Sequence, residues 1–488
     1  MKRLKTLLVI TSVIVAATGC KKFLDQQPKS DLSSELFWRS PDDAKLGITG
    51  VYDAIQTTIG TGNYTEWGDA RSDNFSFGGT GDNQINVALN GLTAVTPSAD
   101  WSDLYITIGR ANSAIKYIPR IQGIADIQKN DYLAQAYAIR AFMYFYAVRL
   151  WGDVPIVLEP FEDLKQQPDI SRKPVNTVID DVILKDLNQA YTLSDKTKIN
   201  YFEISTGAIL AMLADVYMWK KDYPKVIEQT NKLMALNRYG LVAGTDWKKL
   251  FTDPGTTSIR ENIWTLNWSF LVDQKGNGNN NFQRIGLSGN TSTYEIDSNT
   301  LDKFESNKSD IRRRLTYDTL LVGSQLGVDK IGKFYPLGAD GRPVYPTREL
   351  NEAKIPIYRY ADILLLRAEA LNKTTPRDAA GAVAIVNQIR TRASAGTVLA
   401  ANYPTETDVE TLILNERQKE LFAEGRRWFD LVRTGRVISV MDPIIRRRQI
   451  SLGQQPTGFT DARKILFPIS RDALNRNTSL VQNPPYSE

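Results

Sequence analysis

The chain has 488 residues, with 60 lysines and arginines against 55 aspartates and glutamates for a net charge of +5, one cysteine and no histidine. The missing histidine removes Ser-His-Asp and Cys-His nucleophile pairs, histidine general bases and histidine-ligated zinc, and the lone cysteine removes intrachain disulfides and cysteine-cluster metal sites. No run of bases marks a nucleic-acid surface, and 42% hydrophobic with 10% aromatic residues supplies a large core.

The first element is a leader. Lys2, Arg3 and Lys5 precede an uncharged, mostly apolar run over 7–17. That run is too short for a bilayer core, which takes about 20 residues, so 1–19 reads as a signal sequence. Ala17-Thr18-Gly19-Cys20 resembles a bacterial lipobox, with Ala17 where the pattern prefers Leu. The resemblance implies that Cys20 is acylated as the first mature residue, that 20–28 is a tether, and that lipid holds the protein on a membrane it does not cross. Losing the three leader bases brings the net charge from +5 to +2.

Ser40-Pro41-Asp42-Asp43 starts a helix over 41–57, with serine as N-cap, proline first and acids in the first turn. Residues 60–91 hold 7 of the 32 glycines, beside Tyr64, Trp67 and Phe75, with Trp101 just beyond, and predict a loop-rich stretch over about 60–105. Residues 131–150 are apolar almost all round, which predicts a buried helix; Ala134, Ala138 and Ala141 form a stripe that admits a close neighbour. Trp151-Gly152-Asp153-Val154-Pro155 stops it. Helices follow over 177–191, 203–220 and 224–236. In the last two, Leu210, Leu213, Ala214, Tyr217 and Val226 resemble a tetratricopeptide repeat, without its closing proline. Residues 237–350 hold 12 more glycines, with Trp247, Trp264, Trp268 and Tyr294, and form a second loop-rich stretch; apolar alternation over 262–270 predicts a strand in it. A looser helix pair covers 358–372 and 378–392, and a last helix covers 408–433. The fold class is all-α: an irregular TPR-like helical-repeat scaffold (about 131–236 and 356–435) with long loop-rich ligand-binding insertions and a few short strands, in one domain over 29–488.

The chemistry motifs are thin. Gly327 to Lys333 has phosphate-loop spacing, but Phe334 stands where Ser or Thr must meet magnesium, so it reads as a loop. Residues 273–284 echo a calcium loop, with Lys275 and Arg284 at ligand places. No metal and no cofactor is expected. Glu416, Glu420 and Glu424, four apart, point toward the core. They offer glycosidase carboxylates, but the interleaved arginines (Arg417 and Arg426, with Arg359 and Arg367) favour ion pairing. The loop residues fit ligand chemistry better. Sugar rings stack on Trp and Tyr while Asp, Asn and Arg bind hydroxyls, so Trp67, Arg71, Asp73 and Asn74 are candidate ligand contacts, with Trp101, Asn280 and Tyr294 joining from other loops. Each aromatic could equally anchor its loop to the scaffold.

Residues 356–370 (PIYRYADILLLRAEA), 384–393 (AIVNQIRTRA) and 415–433 (NERQKELFAEGRRWFDLVR) resemble the SusD/RagB family of outer-membrane nutrient-binding lipoproteins. Phe467-Pro468-Ile469-Ser470, the closing Gln482-Asn483-Pro484-Pro485-Tyr486, Phe23-Leu24-Asp25 after Cys20, and the 151–155 turn are similar too. The resemblance implies non-catalytic capture of oligosaccharides, or in some members peptides, as the lid of a SusC-like TonB-dependent outer-membrane transporter, on the outward face of that membrane. A hydrolase using core carboxylates and a purely structural lipoprotein are the alternatives.

Overall fold

The computed structural model describes residues 37–60, 63–78, 81–162, 169–253, 260–269, 285, 293–319, 327–347 and 350–487; Cys20 and Asn280 lie outside them. The chain runs α1 (Pro41–Gly60), β1 (Phe75–Phe77), α2 (Asp82–Ala88), α3 (Ser102–Tyr117), α4 (Asp126–Trp151), β2 (Val154–Pro155), β3 (Arg172–Lys173), α5 (Leu184–Leu193), α6 (Thr206–Trp219) and α7 (Tyr223–Ala235). It continues with β4 (Asn262–Leu266), β5 (Tyr294–Ile296), α8 (Ser298–Glu305), α9 (Ile311–Thr316), β6 (Tyr317–Asp318), β7 (Gly327–Ile331), β8 (Ile355–Arg359), α10 (Tyr360–Lys373), α11 (Ala379–Arg392), α12 (Glu406–Glu420), α13 (Arg427–Arg433) and α14 (Val437–Ser451). The all-α class holds.

Helices carry the core because their apolar faces follow one another through the fold. α1 packs on α3, α3 on α4, α4 on α5, α5 on α6 and α6 on α7. The hairpin α6–α7 then meets the hairpin α10–α11 through α7 and α10, and α12 covers α10 and α11. α4 lies at the centre and is buried from Leu133 to Trp151 apart from Tyr137, including the alanine stripe. It ends at Gly152, whose φ of +75° is a left-handed position that suits glycine. The strands pair antiparallel in twos: β1–β5, β2–β3, β4–β8 and β6–β7. β1–β5 sets Phe75 opposite Ile296 and Phe77 opposite Tyr294, tying the two glycine-rich stretches together. The phosphate-loop look-alike is in part strand β7 rather than loop, and the sequence strand at 262–270 appears as β4.

The final long helix expected over 408–433 is broken. α12, opened by a Thr405–Asp408 capping box, stops at Glu420, and a turn carries Ala423 and Gly425 at φ of +62° and +68° before α13 begins. The break brings the Gly425 backbone against Gly68, where an added Cβ would lie 2.3 Å from the Gly425 carbonyl oxygen. Asp69 accepts the Gly425 amide hydrogen at 2.5 Å. Nothing in helical periodicity registers this contact between residues far apart in sequence.

Two of the expected ligand aromatics are core. Trp67 is fully buried, donates its indole hydrogen to the Ser98 carbonyl at 2.8 Å, and packs edge-on against Trp151 at 5.8 Å between centroids. Trp101 meets the same Trp151 at 5.6 Å and Tyr105 at 5.5 Å. This corrects their assignment as sugar platforms: Trp67 lies not in a loop but in a helical segment, Glu66–Ala70, and its indole turns inward because it has more to gain from the α4 aromatics than from water.

Behind these rings lies a network of buried charge. Arg359 donates to Glu420 Oε1 at 2.6 Å, to Glu261 Oε1 at 2.7 Å and to Glu424 Oε2 at 2.7 Å. Arg392 reaches Glu420 at 2.5 Å, and Arg312 reaches Glu416 at 2.7 Å and Glu420 at 3.0 Å. Lys333 donates to Glu424 at 2.6 Å. Next to it, Arg417 bridges Asp362 and Asp430, each at 2.8 Å, and Arg433 adds a bond to Asp430 at 2.7 Å.

Burial alone would raise these carboxyl pKa values; the cations outweigh it. Glu420 is held well below the ordinary range by Arg392, Arg359 and Arg312, and Asp430 is held at about 2 by Arg417 and Arg433. Asp69, with no cation bonded to it, is pushed up by burial to about 7.

Two predictions follow from this core. Trp67→Ala is expected to cost about 3–5 kcal/mol in urea unfolding followed by circular dichroism, the usual range for emptying a buried aromatic site; a solvent-facing platform would leave the midpoint in place. The charge network sets the pH response. Depressed carboxyls contribute stability that is complete above the unfolded pKa of about 4 and lost as pH falls toward 2, whereas the raised Asp69 contributes stability that is complete below about pH 4 and lost as pH rises to about 7. Stability should therefore rise from about pH 7 to pH 5 and collapse steeply below about pH 4. A flat profile down to pH 2.5 would contradict the pairing described.

Candidate functional site

The polar residues next to Trp67 form an internal clamp. Asn74 donates to Asp69 at 2.7 Å, and its own oxygen accepts from Gln418 at 3.0 Å. Asp73 is gripped by Arg427 through two parallel bonds of 2.7 and 2.8 Å, and despite its burial this guanidinium holds its carboxyl far below the usual range. Arg71 lies between the Trp428 and Phe467 rings, 4.1 and 4.5 Å from their centroids, and burial lowers its pKa to about 9. Tyr294 is buried at β5 and donates to Glu66 at 3.2 Å.

Of the seven residues the sequence nominated, Trp67, Arg71, Asp73, Asn74, Trp101 and Tyr294 are therefore buried and engaged within the protein, and Asn280 lies outside the described residues. The correction has a simple cause. A sugar-binding loop and a buried polar clamp need the same residue types, because both must satisfy hydroxyl-like partners with Asp, Asn and Arg around an aromatic ring.

Arg71 leads to a site the sequence did not flag. Its Nε and Nη2 donate to Asn90 Oδ1 at 3.0 and 2.6 Å, and Nη2 also reaches the Lys464 carbonyl at 2.8 Å. This holds Asn90 at φ +56°, a conformation rare for a residue with a side chain. Asn90 and Lys464 border a cavity of about 230 Å³ between the α2 end and the loop after α14. Asn86, Gln454, Thr457 and Thr460 add uncharged polar groups, and Phe459 adds an aromatic edge. The loop is stiffened from behind: Gln449 accepts from the Gly458 amide at 2.9 Å and donates to Thr457 at 2.9 Å. The side-chain amides of Asn86 and Gln454 and the hydroxyl of Thr460 make no hydrogen bond among the described residues, and all three are exposed. The only sequence signal was the turn composition of Gly453-Gln454-Gln455-Pro456-Thr457-Gly458, which marks a loop without marking a site.

No carboxylate borders this cavity among the described residues. The three glutamates that offered hydrolytic chemistry are elsewhere and occupied. Glu416, Glu420 and Glu424 are each bonded to arginine or lysine in the core. Of the four arginines the sequence proposed as partners, Arg359 is one; Arg417 and Arg426 pair with aspartates, and Arg367 bonds Thr230.

The comparisons with known proteins agree with this architecture. The SusD family profile matches residues 264–486, and a second profile, described as starch-binding and associating with the outer membrane, matches residues 22–218. A SusD-like protein of Formosa agariphila is 30% identical over an alignment covering 100% of each chain. Among solved structures, a SusD superfamily protein of Bacteroides thetaiotaomicron superposes with a TM-score of 0.72 at 22% identity, over 92% of this chain and 99% of that one. A laminarin-binding SusD-like protein superposes with a TM-score of 0.73 at 22% identity, over 92% of this chain and 100% of that one. With full-length identity at this level, and with helices, turns and closing segment all in place, the chain belongs to the SusD family.

Proposed function

We propose that this protein is a non-catalytic binder of neutral oligosaccharides, anchored through acylated Cys20 to the outward face of the outer membrane, that hands its ligand to a SusC-like TonB-dependent transporter. The observation that carries the reading is the cavity bounded by Asn86, Asn90, Gln454, Thr460 and Phe459: amides and a hydroxyl can exchange bonds with sugar hydroxyls, while the lining supplies no acid–base pair. Its volume of about 230 Å³ suits one ring of a longer glycan rather than a whole chain. The family description supports a carbohydrate ligand and the outer membrane. No helix among the described residues is long and apolar enough to cross a membrane; in this reading the lipid on Cys20 is the attachment. Two proteins held on one membrane meet at a raised effective concentration, so a modest interface suffices for a transporter complex.

Affinity electrophoresis against starch, laminarin and other neutral polysaccharides should reveal retardation, without release of reducing sugar from the retarding glycan. Asn86→Ala and Gln454→Ala should each weaken binding about fivefold, the equivalent of one hydrogen bond at about 1 kcal/mol, with the unfolding midpoint unmoved. Unchanged retardation in the double variant would move the site elsewhere. For the anchor and partner, Cys20→Ser should abolish fatty-acid labelling, and the wild-type chain extracted in mild detergent should bring down a β-barrel protein. Recovery of the lipoprotein alone under conditions that preserve other outer-membrane complexes would count against delivery.

A further inference from the structure

The cavity beside Asn90 has two walls that are distant in sequence. The end of α2 supplies one, with Asn86, Asn90 and Gly91, and the segment after α14 supplies the other, with Phe459, Thr460 and Lys464. One side chain joins them from behind. Arg71 Nη2 donates to Asn90 Oδ1 at 2.6 Å on the first wall, and to the Lys464 and Ile465 carbonyls at 2.8 and 3.1 Å on the second. Its Nε reaches the same Asn90 oxygen at 3.0 Å. Asn90 also closes the gap directly, its Nδ2 donating to the Lys464 carbonyl at 3.2 Å. The spacing of the walls is therefore set by bonds that converge on one amide and one carbonyl.

Arg71 differs from the other arginines of the core. Arg312, Arg359, Arg417 and Arg427 are similarly buried, and each meets at least one carboxylate. The hydrogen bonds of Arg71 go to an amide and two backbone carbonyls, and its Nη1 has no partner among the described residues. A guanidinium buried without an acid is costly, so stability alone does not account for its place. What fixes it is stacking between Trp428, the second residue of α13, and Phe467. The adjacent Arg427 ties that end of α13 to Asp73. The second wall is backed by the closing segment of the chain: the Tyr486 hydroxyl donates to the Leu466 carbonyl at 2.9 Å, and Asn483 Nδ2 to the Phe467 carbonyl at 2.8 Å. Lysine cannot reproduce this bridge, because an ammonium neither lies flat between two rings nor aims two nitrogens in a fixed fork.

We propose that Arg71 is the positioning residue of this cavity. It fixes the distance between the two walls and holds Asn90 in its left-handed conformation, so that Asn86 and Gln454 and the Thr460 hydroxyl face the same ligand. Arg71 is not itself among the lining residues and acts through Asn90 and Lys464. The inference rests on the reading of this cavity as the glycan site, and it names the side chain that preorganises it.

Hydrogen exchange read by mass spectrometry on the purified mature chain tests this without a ligand. Asn90→Gly removes the acceptor of the bridge yet adopts a φ of +56° freely. In it, the amides of 86–91 and 457–466 should exchange about tenfold faster than in the wild type, while those of α12 stay unchanged. Asn90→Asp keeps the acceptor and should keep the protection. Arg71→Lys should match Asn90→Gly, and the double variant should be no worse than either, because both changes break one bridge. In gels containing starch or laminarin, each single variant should weaken retardation about fivefold, again without adding. Wild-type exchange at both walls in Asn90→Gly, or effects of the two changes that add in full, overturns the proposal. Should Arg71→Lys fail to fold, the contrast between Asn90→Gly and Asn90→Asp decides alone. Walls that loosen while retardation is unchanged uphold the role of Arg71 and remove this cavity from the glycan reading.

Discussion

A guanidinium buried without carboxylates would cost several kcal/mol, and Arg359 is buried at the point where β8 turns into α10. Its five donors can be satisfied only if Glu261, Glu420 and Glu424 arrive together, from the start of β4, the end of α12 and the turn beyond it. Each of those acids then brings further partners: Arg392 and Arg312 to Glu420, and Lys333 to Glu424. Such a network adds little net stability compared with a well-packed apolar core. It excludes neighbouring registers, because a shift of one residue would strand several charges at once. The positions of α9, α11, α12 and β8 are therefore coupled through a few side chains.

The same network decides what the scaffold can do chemically. A hydrolase needs two carboxyls whose protonation states differ and which face a substrate. Here the best-spaced glutamates face arginine, and Glu420 is fixed as an anion far from any working pH. The clamp of Asp69, Asp73 and Asn74 on the 418–427 segment fastens the first glycine-rich stretch down, and β1–β5 fastens the second to it. The cavity beside Asn90 forms next to this fastening, shaped by Arg71. The described residues nominated as ligand contacts are part of the frame that holds the loops to the helices.

Much was legible in the sequence because it was written locally. Helix periodicity, the proline start of α1, the glycine stop of α4 and the alternation of β4 each depend on residues within a few positions of one another; α1 begins at the expected Pro41 and α4 stops at the expected Gly152, while α4 starts five residues earlier and β4 ends four residues sooner than expected. The interleaving of acids with arginines in 415–433 correctly signalled buried pairing, since buried charges need partners wherever they come from.

What the sequence could not decide was which of two identical compositions it held. Trp67, Arg71, Asp73 and Asn74 carry the chemistry of a sugar contact and of a buried clamp alike, and the choice rests on Gly425 and Arg427, some 350 positions away, folding back onto them. The break after Glu420 is equally invisible to helical periodicity, because it is imposed by the close approach of Gly68 and Gly425. The cavity has no local signature at all. Asn90 meets Lys464, and Lys303 meets Gln418, only after the chain has closed on itself, so residue types and spacing determined the scaffold while long-range burial of polar groups decided where a cavity forms.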